Sequence, residues 1–383
     1  MTPFKKTILF LHRWLGFISG LVVFIVSITG CLFVFQDEIQ DAIHSYRKVE
    51  VQHKPYVKPT QLKAIGLKHY PTGNPAFTAY YGPDRPAVVM MIVPKVGTRY
   101  IYVNPYTGAF LHDEDIQWNF FIIVEYIHLY LLLPAETGGL VVGISVIIFV
   151  ILLISGIILW WPKRKSDRKR SLTIKWGGRW RRVNYDLHNV LGFYAASIAL
   201  ILALSGLSIA FDWMRKGIYS ATNLGQTYAA ETQLAKSDSL KKGTVNTIDP
   251  VDRAFAYSRE HSPLAKMFFI SAGDGKGANT HTVTAYYTSM HYYKSDSYTF
   301  DQYTGKLLKT LSQNQKSPGR KMNDANYDIH VGQLLGLPGK IIAFLASLIC
   351  ASLPITGFIV WWGKRNKKAK KSPRIRHHKV AAA

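Results

Sequence analysis

Histidine offers an imidazole nitrogen that binds metals near neutral pH, and four histidines stand out by their placement: His12, His128, His188 and His330. Each lies at the mouth of a long apolar run, and each has a counterpart. "H-R-W-L-G-F" at 12–17 returns as "H-N-V-L-G-F" at 188–193, and "Y-I-H" at 126–128 returns as "D-I-H" at 328–330. An ionisable residue at a membrane span is costly to keep there and marks a functional site by default. One such residue alone is explained by an interfacial side chain with its polar tip in water. Two matched pairs point instead to ligation of a metal or of haem iron. Gly16 and Gly30 follow His12 at the spacing with which Gly192 and Gly206 follow His188. At 3.6 residues per turn, positions 12, 16 and 30 fall near one helix face, where missing side chains leave room for a flat macrocycle. Close helix packing is the competing use of such glycines.

The elements that must hold these residues are membrane helices. The chain has 383 residues, is 48% hydrophobic and carries a formal net charge of +24. Runs of roughly 20 apolar residues can cross a bilayer, and four are present: Trp14–Phe35, Gly138–Trp161, Val190–Phe211 and Ile341–Trp362. Trp160-Trp161 and Trp361-Trp362 end two of them, where an aromatic belt is expected. Ten Lys/Arg and one acid crowd residues 163–182, and nine Lys/Arg with no acid fill 364–379. Residues 36–117 (nine basic, eight acidic) and 212–328 (fifteen basic, eleven acidic) are nearly balanced. The positive-inside rule then puts both termini and the 163–187 loop in the cytoplasm and the two large loops outside, in the periplasm of a bacterial inner membrane. The basic excess reads as topology and anionic-lipid contact, not nucleic-acid binding. Ile28-Thr29-Gly30-Cys31 has the form of a lipoprotein cleavage box, but its apolar run is longer than a signal h-region, and Ser205-Gly206-Leu207 repeats it internally. Cys31 and Cys350 fall near opposite membrane faces in this topology, which argues against a disulfide.

The chain divides into two like halves, 1–164 and 184–365. "S-G-I-I-L-W-W-P-K-R" at 155–164 matches "T-G-F-I-V-W-W-G-K-R" at 356–365. "V-N-P-Y-T-G-A-F-L" at 103–111 matches "F-D-Q-Y-T-G-K-L-L" at 300–308, each reading as strand, tight turn, strand. Parallel duplication implies a pseudo-twofold along the membrane normal. The predicted fold is therefore a helical integral membrane protein with four spans in two pseudo-symmetric halves, each half bearing a periplasmic α+β domain. The predicted boundaries are 1–35 (first span), 36–117 (first outer domain), 118–162 (outer helix and second span), 163–187 (basic loop), 188–211 (third span), 212–326 (second outer domain), 327–362 (outer helix and fourth span) and 363–383 (basic tail). Helices are expected at Thr60–Tyr70 and Pro250–His261, and strands at Ala87–Val93, Tyr100–Val103 and Thr282–Tyr287. Gly273–Gly277 lacks the strand–helix context of a phosphate loop and reads as a surface loop. His44, His53, His69, His112, His261, His281, His291, His377 and His378 are scattered in polar segments. His281 and His291 lie among tyrosines 286, 287, 292 and 293, which read as domain core or pocket wall.

Symmetry makes equivalent residues face each other, so His12–His188 should ligate one iron and His128–His330 another. No C-x-x-C-H occurs, so two haems held this way would be non-covalent and b-type. Neither thiolates nor acid pairs complete a zinc site, and no protease motif or Rossmann fingerprint is present. One bis-histidine haem near each face makes an electron path, supplied by a separate cytoplasmic or quinol donor. The alternatives are a non-enzymatic membrane-anchored binding or regulatory module, an iron or haem transporter, and a redox partner for a quinone or thiol. Spans poor in central polar residues argue against the transporter.

The "H-x-x-L-G-F … S/T-G" spans, the "S/T-G-x-x-x-W-W-x-K-R" ends and the "Y-T-G-x-x-L" hairpins resemble the PepSY-associated transmembrane family over residues 8 to 366. Within it the chain is most similar to inner-membrane ferric-siderophore reductases. The resemblance implies four spans, two periplasmic PepSY-like domains, two b haems and span histidines at His12, His128, His188 and His330. It also implies reduction of siderophore-bound or otherwise chelated Fe(III), releasing Fe(II) for uptake.

Overall fold

The computed structural model describes residues 2–162, 164–272 and 280–369. The Gly273–Gly277 loop, His377 and His378 lie outside the described residues. In chain order the elements that matter are α1 (Pro3–Phe33), α2 (Gln36–Ile43), α3 (Pro59–His69), β1 (Asn74–Tyr80), β2 (Ala87–Val93), β3 (Gly97–Val103), β4 (Phe110–Asp115), α4 (Phe120–Tyr130) and α5 (Ala135–Trp160). There follow α6 (Trp180–Ala210), α7 (Asp212–Thr222), α8 (Pro250–His261), β5 (Met267–Ala272), β6 (Thr280–Tyr286), β7 (Ser295–Asp301), β8 (Leu307–Leu311), α9 (Pro318–His330) and α10 (Gly336–Ala369).

Helices α1, α5, α6 and α10 are each long and apolar enough to cross a membrane. Their outward faces leave Phe10, Ile18 and Leu21 on α1, Leu140 and Ile154 on α5, Ile201 on α6 and Leu345 on α10 exposed. A continuous apolar surface of this kind needs lipid rather than water. α1 begins well before the expected span, because the Thr2 side chain accepts from the Lys5 N–H and Pro3 occupies the first turn, which caps and pre-orders the helix. His12 consequently sits inside a helix rather than ahead of one. α1 packs on α10 at Gly20, where a Cβ would come within 3.3 Å of the Pro354 ring. α6 is not uniformly α-helical: residues Leu187–Leu191 form one π-helical turn. Such bulges are rare and concentrate at functional sites.

The strands form one antiparallel sheet of eight, in the order β4-β3-β2-β1-β5-β6-β7-β8. The two predicted α+β units are thus fused: β1 pairs with β5, with Thr78 opposite Ile270 and Tyr80 opposite Phe268. Each Y-T-G segment makes the expected hairpin turn. Gly108 and Gly305 take φ of +73° and +67°, and the Asn104 and Asp301 side chains accept from the backbone N–H groups that follow them. α3 and α8 cover one face of the sheet, and Leu62, Tyr80, Val89, Met91, Ile101, Phe255, Val283 and Phe300 make its core. Because side chains alternate along a strand, Val88, Tyr100 and Tyr102 point from the other face, toward the helical bundle. Asp249 caps α8 as the sequence predicts, accepting from the Val251 N–H.

Two short helices lead from the sheet into spans. α4 ends with Leu131 and Leu132 both in the left-handed region, at φ of 55° and 58°, which is strained for leucine. Two residues beyond the end of α9, Gly332 takes φ of +77°. Gly138 and Gly339 then let α5 and α10 start against these turns: a Cβ on either would lie about 2 Å from the Tyr130 or Gly332 carbonyl oxygen. Cys31 and Cys350 are both buried and free. They are not at opposite faces, since the Cys31 thiol contacts the Phe344 carbonyl, under two helical turns from Cys350.

Candidate functional site: two facing histidine pairs

The structure brings the four histidines together as two pairs. His12 of α1 faces His188 of the α6 π-turn, ring centres 6.5 Å apart and planes at 86°. His128 of α4 faces His330 of α9, ring centres 6.1 Å apart and planes at 64°. The second pair lies at the end of the bundle that carries the sheet, the first at the opposite end.

Each imidazole is held by a hydroxyl on a neighbouring helix. His12 Nδ1 lies 2.8 Å from Ser155 Oγ, His128 Nδ1 3.0 Å from Thr29 Oγ1, His188 Nδ1 3.0 Å from Thr356 Oγ1, and His330 Nδ1 2.9 Å from Ser205 Oγ. The tautomer follows from proton accounting. Ser155, Thr29, Thr356 and Ser205 each donate their single hydroxyl hydrogen to a carbonyl one turn back, on Leu152, Ile25, Ser352 and Leu202. Each hydroxyl oxygen therefore accepts, and each Nδ1 carries the hydrogen. Nε2 is left with its lone pair on all four rings, the state a metal-binding histidine requires. His330 Nδ1 also reaches the Leu202 carbonyl at 3.1 Å, an acceptor only, which gives the same assignment.

A glycine follows each of these hydroxyl residues, and it lies against the imidazole that the hydroxyl holds. Cβ atoms at Gly30 and Gly156 would sit 3.5 Å from Cε1 of His128 and His12. At Gly206 and Gly357 the corresponding distances to His330 and His188 are 3.0 and 3.1 Å. The expectation that Gly30 and Gly206 serve the histidines of their own helices is corrected: they abut His128 and His330. A Cβ added at Gly16 would meet no heavy atom within 4 Å, and one at Gly192 would meet only Leu353. Sequence reasoning misses Ser155, Gly156, Thr356 and Gly357 as parts of the site, although the Ser/Thr-Gly dipeptide that follows or precedes each apolar run in matched positions is the signal that could have found them. It also misses two clamps in the second half. Asn184, one turn before His188, donates to the Thr356 carbonyl, and Asn326, one turn before His330, donates to the Ser205 carbonyl.

Among the described residues no group of three or more His, Cys, Asp or Glu is placed to hold a metal ion. A bare divalent ion asks for four or more donors. Two facing imidazoles, each with one free ring nitrogen, suit a metal whose remaining positions are filled by a macrocycle.

A cavity of about 290 Å³ lies between the sheet's bundle-facing side and the helices, with Phe33, Asp37, Tyr100, Glu125, Tyr292 and Tyr327 in its wall. Burial holds the Glu125 carboxyl above its ordinary range. Burial also raises Asp37, against the pull of Arg47, Lys340 and Arg85. Burial raises the Tyr327 and Tyr100 phenols. Of the tyrosines singled out by sequence, Tyr292 lines this cavity and Tyr286 packs on it at 5.5 Å. His281 lies apart, its Nδ1 buried without a partner among the described residues.

No curated protein matches this chain. The model of one family, described as the PepSY-associated TM region, matches residues 9–364, nearly the whole length, and the chain belongs to that family.

Proposed function

We propose that this protein carries electrons across a bacterial inner membrane through two non-covalent b-type haems and reduces chelated Fe(III), such as siderophore iron, on the periplasmic side. The observation that carries the reading is the fit of each histidine pair to one iron. A metal–imidazole bond of about 2 Å on each side, with about 1 Å from nitrogen to ring centre, spans about 6 Å, and the ring centres are 6.5 and 6.1 Å apart. The donor set agrees, since all four Nε2 atoms point their lone pairs away from the hydroxyls that hold Nδ1.

Haem iron held between the two imidazoles of each pair would supply reversible one-electron transfer. The protein's part is to fix the ligating nitrogens. The Ser/Thr hydroxyls set the tautomer and the ring orientation, and the glycines let each ring lie against a helix backbone. Positions 12 and 29 on α1 belong to different pairs and lie about 25 Å apart along the helix, so one pair stands near each membrane face. The charge asymmetry supports cytoplasmic termini, and with them a sheet that faces the periplasm. The matched motifs and the strand order, which reads alike from either edge, support two pseudo-symmetric halves with PepSY-like outer domains. Fe(III) is bound by hard oxygen donors that hold Fe(II) poorly, so reduction is a release step. The electron donor is a separate cytoplasmic protein, a small molecule or a quinol.

Four histidine-to-alanine variants test the reading by haem content and reduced-minus-oxidised spectra. His12→Ala and His188→Ala should each remove one and the same haem, and His128→Ala and His330→Ala the other. A wild type that is colourless and takes up no added haem would refute it, and would favour the membrane-anchored binding module.

A further inference from the structure

The cavity beneath the sheet stands one helical turn from the His128–His330 pair by three independent routes. Gly30 abuts His128, and Phe33, three residues on along α1, lines the cavity. Glu125 precedes His128 by three residues on α4, and Tyr327 precedes His330 by three on α9; both line the cavity too. Residues three apart on a helix are neighbours on one face, about 5 Å apart. The cavity therefore lies within about one helical turn of this pair on the sheet side.

Its carboxylates are not equivalent. Asp37 is bonded to Arg47 at 3.1 Å. Glu114 accepts from the Tyr102 phenol at 2.7 Å and from Asn119 at 2.6 Å. Arg85 is spent on Asp41. Glu125 has no hydrogen-bond or ionic partner among the described residues. Among the described residues every other charged side chain of this wall has a hydrogen-bond or ionic partner, and the Glu125 carboxyl, beside the outer histidine pair, is the one without.

We propose that this cavity is the docking site of the electron acceptor, an oxygen-donor arm of an Fe(III) chelate, and that the Glu125 carboxyl is the proton donor to the chelate oxygen. The proposal rests on the haem reading for its electron. The outer haem, when bound, would supply the one electron that takes the chelate's Fe(III) to Fe(II). The iron–oxygen bond breaks with its pair on oxygen, that oxygen takes the Glu125 proton, and the carboxylate is reprotonated by water from the outer side. The volume, about 290 Å³, is at the small end of ligand pockets and admits one bidentate hydroxamate or catecholate group rather than a whole siderophore. Burial, which favours the protonated carboxyl, keeps Glu125 ready to donate.

The test uses the full-length protein in lipid nanodiscs with Fe(III)–acetohydroxamate as acceptor and redox-inert Ga(III)–acetohydroxamate as binding probe. Haem is reduced with dithionite, excess reductant is removed, and haem reoxidation is followed together with Fe(II) trapped by ferrozine. Glu125→Gln should keep its haem and bind the gallium probe within about threefold of wild type, yet reoxidise at least tenfold more slowly, the low end of general-acid contributions of about 10²–10⁴ reduced by a smaller barrier. Ile122→Trp, which fills the cavity from α4, should keep its haem and lose probe binding by about tenfold or more; Gln36→Trp fills it from α2 should the first variant misfold. Wild-type reoxidation in Glu125→Gln overturns the proton role, and wild-type probe binding in both tryptophan variants overturns the site. A wild type without haem bands would fail the haem reading separately, and cavity-dependent gallium binding would still distinguish the docking site from it.

Discussion

Alanine at the four glycines that abut the imidazoles should divide by half of the chain. A helix-interior Gly→Ala change gains about 1 kcal/mol from backbone entropy, and whether that gain survives depends on what the new methyl meets. At Gly30 and Gly156 the Cβ would stand 3.5 Å from Cε1 of His128 and His12, ordinary van der Waals contact. At Gly206 and Gly357 it would stand 3.0 and 3.1 Å from His330 and His188, so the ring must retreat by a few tenths of an ångström. There the rings have little freedom, because Asn326 and Asn184 tie the cradle carbonyls to the same helices that carry the histidines. Overpacking of a tight site costs about 1–3 kcal/mol. Gly30→Ala and Gly156→Ala should therefore be neutral to stabilising by up to about 1 kcal/mol, with wild-type spectra. Gly206→Ala and Gly357→Ala should lose up to about 2 kcal/mol net and shift the low-spin signals of the haems proposed at the His128–His330 and His12–His188 pairs respectively. Thermal melts, haem content and low-temperature EPR on the four variants give the result directly. Equal effects in the two halves, or larger effects at Gly30 and Gly156, would refute the account of these glycines as contact surfaces.

Three further expectations follow the same geometry. Thr29→Val removes the hydroxyl that accepts the His128 Nδ1 hydrogen at 3.0 Å and should weaken retention of the proposed outer haem by about 10–100-fold; wild-type retention measured by haem transfer to apomyoglobin would contradict this. Asp41, although burial favours its neutral form, is held below the usual carboxylate range by hydrogen bonds from Arg85 and Arg47, so its contribution is present above the ordinary carboxylate pKa and is lost as pH falls through the lowered value. Asp41→Asn should cost about 3 kcal/mol at neutral pH and flatten the acid limb of the melting temperature below about pH 4; an unchanged acid limb would show that the pair does not anchor α2. Gly138→Ala would drive a methyl into the Tyr130 carbonyl and should abolish the folded, membrane-inserted form, as would Gly339→Ala at Gly332; normal yield and melting of either would show that the turns can open.

Much of this is legible in the sequence because it rests on local signals. The spans, the α8 cap at Asp249 and the Y-T-G turns each follow from a hydrophobic run or a turn chemistry confined to a few residues. The facing of His12 with His188, and of His128 with His330, follows from the repeats. What cannot be read is what depends on contacts between distant segments. Nothing local joins β1 to β5, so the sequence predicts two separate α+β units where one sheet forms. Spacing alone places positions 12, 16 and 30 near one face of α1, but which imidazole fills the space at Gly30 depends on where α4 packs. The π-turn at Leu187–Leu191 has no signature in residue type, and the cavity arises only where the sheet lies over α2, α4 and α9.

The arrangement also explains why the spacing from histidine to the Ser/Thr-Gly dipeptide is the same in both halves, 12 to 29 and 188 to 205. α1 supplies a histidine to one pair and the hydroxyl–glycine cradle to the other, and α6 does the same. α5 and α10 carry cradles only, and α4 and α9 carry histidines only. On α1, α-helical throughout from 12 to 29, this sharing fixes the separation of the sites at about 25 Å, so neither pair can move along the bundle axis without straining the other. The corresponding spacings through the short helices, 128 to 155 and 330 to 356, differ by one residue. That difference is tolerable because each path crosses a turn, with Leu131 and Leu132 in one and Gly332 in the other taking left-handed conformations. Length is thus kept equal where a helix sets the distance between sites and relaxed where a turn absorbs it, as expected of a bundle that holds two histidine pairs at one separation.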